Sequence, residues 1–264
     1  YPFQFGHEGV GVIREVGPEV EGFKKGEKVF AAGGADMMAE IINVSTKYIT
    51  KIPANVTNYS LWVGEPIVCV VNGLEQINIM PGDDIAIVGA GYMGLLNIQA
   101  LNNSLVGKIY AFDIDNEKLK LAKKFGADEV YNLDTEKGKN KIEYLSNSGG
   151  VDIVFEVSGA KDGFKTANEL MKEGGKMSMF AWHRGERKFD GTKWHVHGYK
   201  IFNTSPNSNK HYLDMISRTG NLMNCGVFNQ KSLITHVMDY NNSQKILEIA
   251  KNKSDGYIKG VITF

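Results

Sequence analysis

The chain has 264 residues, 42% of them hydrophobic, and its 30 basic and 30 acidic side chains cancel to a formal net charge of zero. That length allows a large core and two lobes, the balanced charge gives no global field toward nucleic acid or an anionic membrane, and no apolar stretch approaches a membrane span. Two cysteines, Cys69 and Cys225, stand far apart without C-x-x-C spacing, which excludes a disulfide framework or a cysteine-rich structural zinc and, with no signal-peptide pattern, predicts a cytoplasmic protein.

Residues 10–13 and 27–30 read as short strands separated by the turn signals Gly17-Pro18 and Gly22, the pattern of barrel-like material. From about residue 67 strands and helices alternate. Apolar strands are predicted at 85–88, 109–112, 151–157 and 176–180, and a helix at 116–125, where Leu119, Leu121, Ala122 and Phe125 form an apolar stripe. Such alternation predicts a parallel sheet with helices on both faces. After Ile201-Phe202 the pattern changes to a helix around 212–218, a strand at 233–237, a helix near 244–251 and a last strand at 260–264. The predicted fold is α/β, with residues 1–66 and 204–264 in a partial barrel lobe and residues 67–203 in a doubly wound domain.

The strongest chemical signal is Asp84-Ile85-Ala86-Ile87-Val88-Gly89-Ala90-Gly91-Tyr92-Met93-Gly94, a buried-strand pattern breaking into G-x-G-x-x-G. Gly89 allows the tight turn, Gly91 lets backbone amides approach phosphate, and Gly94 lets the next helix pack on the strand, while Tyr92 and Met93 open that helix. Phosphate would rest on the helix's positive end. Asp113 ends the next apolar strand about 20 residues further on, where a carboxylate accepts hydrogen bonds from both adenosine ribose hydroxyls. A 2′-phosphate there would meet like charge, so NAD is expected over NADP. These features define a Rossmann-type dinucleotide domain. Val157-Ser158-Gly159 ends another strand on the same edge, which makes Val157 and Ser158 candidates for cofactor contact.

Gly6-His7-Glu8 near the start and Gly64-Glu65-Pro66 ahead of the nucleotide unit carry further chemistry-bearing side chains. Taken singly, His7 could be a hydrogen-bonded core histidine and Glu65 a helix N-terminal carboxylate. With the glycine fingerprint, Gly26-Glu27-Lys28-Val29, Ala39-Glu40, Lys51-Ile52-Pro53 and Ile258-Lys259-Gly260-Val261-Ile262, they resemble the medium-chain dehydrogenase/reductase family, the zinc-containing alcohol, polyol and threonine dehydrogenases. The likeness covers essentially the whole chain. It implies that the barrel lobe is GroES-like, that His7 is a catalytic zinc ligand with Glu8 beside the metal, and that Glu65 is a further ligand. That last place is cysteine in the alcohol dehydrogenase branch and glutamate in the polyol and threonine branch. The substrate it implies is therefore a polyol or other secondary alcohol, with NAD and zinc as cofactors. It also implies a cofactor pyrophosphate contact at Lys259, a basic residue near the adenosine ribose at Lys118, and a homo-oligomer. Solvated surface charges are the alternative for both lysines. A zinc of this kind acts as a Lewis acid on the alcohol oxygen.

Members of the family carry barrel strands, a cysteine ligand and a proton-relay Ser/Thr ahead of the G-H-E motif, so the chain reads as N-terminally incomplete. The segment after Phe30 lacks the four cysteines of the structural-zinc lobe. Cys69 and Cys225 are expected to be buried small hydrophobes. His195 and His197 alternate as on a strand face and read as surface or strand-end residues and not as a second metal site, and Trp182-His183-Arg184 follows a strand where the crevice of the sheet opens, which makes it a candidate for a place near the nicotinamide or substrate. His236 reads as structural. Two rival functions stand beside the zinc dehydrogenase: a zinc-free quinone-type reductase of the same superfamily, and a catalytically inactive NAD-binding protein.

Overall fold

The structure is a computed structural model that describes residues 5–264. Its contacts divide the chain into two units, one of residues up to Val71 with Lys210–Phe264 and one of Asn72–Asn209.

In the first unit β1 (Glu8–Val12), β2 (Lys28–Ala32) and β3 (Ile49–Lys51) form an antiparallel sheet in the order β1-β2-β3. Its small core joins Val29, Ala31, Met37 and Ile49. The helix α1 (Glu65–Ile77) starts in this unit and ends in the second. It begins at Glu65 and runs through Cys69, where the sequence pattern alone suggests only a lead-in to the sheet.

The second unit is built on strands whose residues are apolar almost without interruption. In β4 (Ile85–Val88) every residue is buried, and β5 (Ile109–Asp113) and β7 (Val151–Glu156) are nearly so. Continuous apolar runs of this kind belong to parallel strands covered on both faces. The sheet has six strands in the order β6-β5-β4-β7-β8-β9, all parallel, with β6 at Glu129–Asn132, β8 at Met171–Met179 and β9 at Lys200–Asn203. Order therefore reverses beside β4, the topological switch point of a doubly wound fold. One face meets α2 (Tyr92–Asn102), where Gly94 lies against Ile87. The other carries Ala86, Val88, Tyr110 and Phe112 into a core with Ile142 of α4 (Glu136–Asn147) and Phe164 of α5 (Lys161–Leu170). Caps fix the helix starts: Asp115 accepts from Glu117 N and Lys118 N at the head of α3 (Asn116–Lys124), and Thr135 accepts from Gly138 N at the head of α4.

Two differences from the sequence reading have local causes. β8 begins at Met171, ahead of the predicted 176, because a register shift carries the pairing past Gly174, whose φ of +68° suits glycine. His195 lies on a short helix, α6 (Gly191–Val196), and His197 caps it, so the two do not share a strand face. Asp190 starts that helix by accepting from Lys193 N at 2.9 Å, and Trp194 holds it by donating to Asn168 Oδ1 at 2.6 Å.

The chain then returns to the first unit with α7 (Tyr212–Asn224), β10 (Ile234–Asp239), α8 (Ser243–Asn252) and β11 (Lys259–Thr263). β10 and β11 pair in parallel. Cys225 caps α7 and is exposed, against expectation, because a C-cap residue sits outside the apolar stripe of its helix. No helix among the described residues is long and apolar enough to cross a membrane.

Candidate functional site

Three stretches of chain in the first unit converge. His7 is fixed on the approach to β1 by main-chain bonds: its carbonyl accepts from Gly33 N at 2.8 Å, and that of Gly6 from Met37 N at 3.1 Å. Glu8 is the first residue of β1 and Glu65 the first of α1. Gly64 permits the approach, since a Cβ there would come within 2.6 Å of the buried Phe30 ring. One ligand atom each from His7, Glu8 and Glu65 lie within 4.8 Å of one another. His7 Nε2 is 3.8 Å from Glu65 Oε1.

The electrostatics of this cluster favour a cation. Glu65 is only 7% exposed. Burial first, and then the like charge of Glu8, push its carboxyl above the ordinary value against the pull of His7. The Cys69 thiol, one helical turn on, and the Tyr212 hydroxyl each donate to Glu65 Oε1 at 3.4 Å. Burial above all pushes both of these groups up, so they stay neutral donors. Lys259 Nζ is 2.5 Å from Glu8 Oε2. An imidazole nitrogen with two carboxylate oxygens is a donor set suited to zinc, and a divalent ion would offset two neighbouring carboxylates, one of them held away from water. The residues present fit such an ion. The His7 side chain is 66% exposed, which leaves the cluster open to a further ligand, as catalytic metal sites require.

A second arrangement belongs to the other unit. Gly89 has φ +106°, and a Cβ there would meet Ser158 N at 2.8 Å. A Cβ on Gly94 would lie 1.9 Å from the Gly89 carbonyl oxygen, so only glycine lets α2 close on the turn. Gly91 contrasts with both: a Cβ would meet nothing within 4 Å, and this residue caps α2 without a side-chain acceptor. Open space thus stands before the positive end of a helix, where an anion is stabilised. Asp113 Oδ2 accepts from Ala90 N at 2.6 Å and Oδ1 from Asp115 N at 2.9 Å, which seats the carboxylate against the glycine turn. Lys118 Nζ is 3.3 Å from Asp115 Oδ2. Val157 N donates to Val88 O at 2.9 Å, and Ser158 follows it at the carboxyl edge of the sheet.

The sequence matches the zinc-binding dehydrogenase family over residues 93–218 and the alcohol dehydrogenase GroES-like domain over residues 1–54, together well over half of the chain. This chain is a zinc-type member of the medium-chain dehydrogenase/reductase family. It is 27% identical over 288 residues to the zinc-type alcohol dehydrogenase-like protein YdjJ of Escherichia coli (strain K12), a match spanning 97% of this chain and 81% of that protein. To an L-threonine 3-dehydrogenase of Marinomonas sp. it is 28% identical over 205 residues, which take in 67% of this chain and 60% of that enzyme. A solved oxidoreductase/dehydrogenase of unknown specificity from Escherichia coli superposes with TM-score 0.85 at 26% identity, over 100% of this chain and 83% of that one.

As an oxidoreductase of this family, the chain assembles its polar residues more fully than the pattern indicates. Cys69 follows Glu65 by one turn of α1, a spacing visible in sequence. Tyr212 reaches Glu65 from far along the chain and left no local signal. His183 is nearly buried and lies 2.7 Å from Glu156, the acid that ends the apolar strand β7.

Proposed function

We propose that this chain catalyses NAD-dependent oxidation of a secondary alcohol or polyol, and the reverse reduction, with hydride passing between the substrate carbon and nicotinamide. The observation that carries the reading is the convergence of His7, Glu8 and Glu65 within 4.8 Å. These three residues would hold zinc, whose Lewis acidity, once it is bound, eases loss of the alcohol proton. Glu65 supplies a buried charge with two neutral donors on it, and the Lys259 ammonium balances Glu8. In the nucleotide unit Gly89, Gly91, Tyr92, Met93 and Gly94 would form the phosphate cradle, Asp113 and Lys118 would take the adenosine ribose, and Val157 and Ser158 would meet the nicotinamide half. Lys259 remains the proposed pyrophosphate contact, with Glu8 as its present partner. The domain limits proposed are residues 1–66 with 204–264 for the metal-binding lobe and 67–203 for the nucleotide domain, and a homo-oligomer is the proposed assembly.

Zinc analysis of the purified protein beside turnover of ethanol, threonine and sorbitol, with NAD and with NADP, tests this reading. Zinc near one equivalent with NAD-linked turnover supports it. Turnover without zinc would favour the quinone-type reductase, and NAD binding without zinc or turnover the inactive binding protein. A preference for NADP would overturn the role given to Asp113.

A further inference from the structure

A buried carboxylate outside both clusters ties two loops of the nucleotide unit together. Glu156, at the end of β7, is fully buried. Its Oε1 accepts from Ser158 N at 3.0 Å, from Gly159 N at 3.2 Å and from the Ser158 hydroxyl. Its Oε2 lies 2.7 Å from His183 Nε2, in the loop that follows β8. This is a close polar contact, and Nε2 has no hydrogen-bond partner among the described residues. Arg187 Nε donates to His183 Nδ1 at 3.1 Å, and Arg187 Nη2 donates to the Gly159 carbonyl at 2.6 Å. An imidazole whose Nδ1 accepts from a guanidinium carries its proton on Nε2, which therefore faces Glu156. The circuit closes from Glu156 through His183 and Arg187 to Gly159 and back.

This circuit reaches the phosphate turn. Gly163 is glycine where Ser158 Oγ would stand 2.0 Å from a Cβ, and Gly89 is glycine where Ser158 N would stand 2.8 Å away. Glu156 thus sets Ser158, and Ser158 sets one wall of the Gly89 turn. Asp113, on β5, lies to one side of β4, and Ser158, beyond β7, lies to the other. In a doubly wound sheet a dinucleotide crosses the crevice at that switch point, so a ligand whose adenosine ribose is on Asp113 directs its other half toward Ser158.

We infer that His183, locked between Glu156 and Arg187, is a positioning residue for the nicotinamide half of the dinucleotide, holding the Val157-Ser158-Gly159 turn in register with Gly89. The inference rests on the NAD reading given above. Removing the imidazole takes a close polar neighbour from a fully buried carboxylate, and releases Arg187 from the far side of the turn. Asp113, on the other side of β4, keeps its own partners, Ala90 N and Asp115 N.

Calorimetric titration of the full chain with NADH and separately with AMP tests this, on the wild type, His183→Ala, His183→Gln and Arg187→Ala. The expected result is about tenfold weaker NADH binding for His183→Ala and Arg187→Ala, AMP binding as in the wild type, and partial recovery in His183→Gln, whose side-chain amide can donate to Glu156. NADH affinity unchanged in His183→Ala overturns the proposal. So does a parallel loss of NADH and AMP, which marks a general loss of fold. A wild type that binds neither ligand overturns the NAD reading itself and this inference with it, whereas a wild type that binds both alongside an indifferent His183→Ala overturns the inference alone.

Discussion

Two carboxyl-bearing sites, one in each unit, are built in opposite ways. The acid of the nucleotide unit, Asp113, ends a buried parallel strand and is seated by backbone amides, Ala90 N and Asp115 N. Neighbouring strands and the glycine turn decide its position. The acid of the first unit, Glu65, is buried at a helix start with another carboxylate close by, and its partners are side chains, Cys69 one turn on and Tyr212 from far along the chain. The first arrangement is complete without a ligand. The second concentrates negative charge that a cation would relieve, so its stability is linked to what binds there.

The largest effects should therefore follow loss of a residue proposed to hold the metal. His7→Ala or Glu65→Gln is expected to weaken zinc binding by more than about 100-fold, beyond the loss typical of residues that only support a ligand. Competition titration against a chromophoric chelator checks this, with NADH affinity unchanged. The two variants should part in the zinc-free protein. Glu65→Gln removes a buried charge that stands beside Glu8 and should unfold at no lower urea concentration than the wild type, because burial of an uncompensated carboxylate is costly. If zinc binding survives both substitutions, the three-residue cluster is not a metal site and the contrast between the units fails.

Asp113 is the matching test on the other side. Asp113→Ala is expected to weaken NADH binding by about 10- to 100-fold, the loss expected for charge-assisted hydrogen bonds. The discrimination against NADPH should fall with it, since the like charge facing a 2′-phosphate is gone. An NADH affinity that stays within twofold would remove the acid from the ribose site. Because Ala90 N loses its acceptor in this variant, the urea midpoint should fall as well.

How far each site could be read from sequence follows the same contrast. The strand, glycine turn and acid of the nucleotide unit lie within one short stretch, and Gly89 and Gly94 have local steric reasons, so residues 84–113 carry nearly all of that geometry on their face. The alternation of apolar strands with helices points to a parallel sheet but not to its strand order, and the half-buried edge strand β6 gives no apolar run to read. The first unit is different. His7, Glu8 and Glu65 are joined in the sequence only through the family resemblance, which also singles out Lys259 but for the pyrophosphate and not for Glu8, and Tyr212 arrives from the far end of the chain with no periodic signal. The alternating His195 and His197 misled because a period of two over three residues cannot outweigh an Asp190 cap that starts a helix turn. Glu156 is legible only as an acid ending an apolar strand and His183 as a residue at the opening of the crevice; their contact carries no sequence signal.

The glycines of the phosphate turn sharpen the comparison by separating stability from binding. Gly94→Ala places a Cβ 1.9 Å from the Gly89 carbonyl oxygen, a backbone atom that cannot swing aside, so a loss of about 1–3 kcal/mol in unfolding free energy is expected together with weaker NADH binding. Gly91→Ala meets nothing within 4 Å and should leave the urea midpoint near the wild type while still obstructing the anion. If the two variants lose stability equally, the turn is not held by helix-to-strand contact.

The smallest effect is expected at the rim of the same sheet, where a carboxylate behaves opposite to Glu65. Glu129, on the edge strand β6, takes Lys141 Nζ at 2.8 Å and the Tyr131 hydroxyl. Those hydrogen bonds, Lys141 foremost, lower its pKa from 4.5 to about 2. A carboxyl whose folded value lies below its unfolded one stabilises the fold fully above the unfolded value, and that contribution disappears as pH falls through the folded one. The wild type should thus exceed Glu129→Gln in urea midpoint at pH 7, and the gap should narrow between pH 4.5 and pH 2. The side chain is partly exposed, so solvent and salt screen the pair and the gap should shrink further in 1 M NaCl, where the Debye length is about 3 Å. A gap that keeps its size down to pH 2 would mean that Glu129 acts through packing on Tyr131 and not through charge.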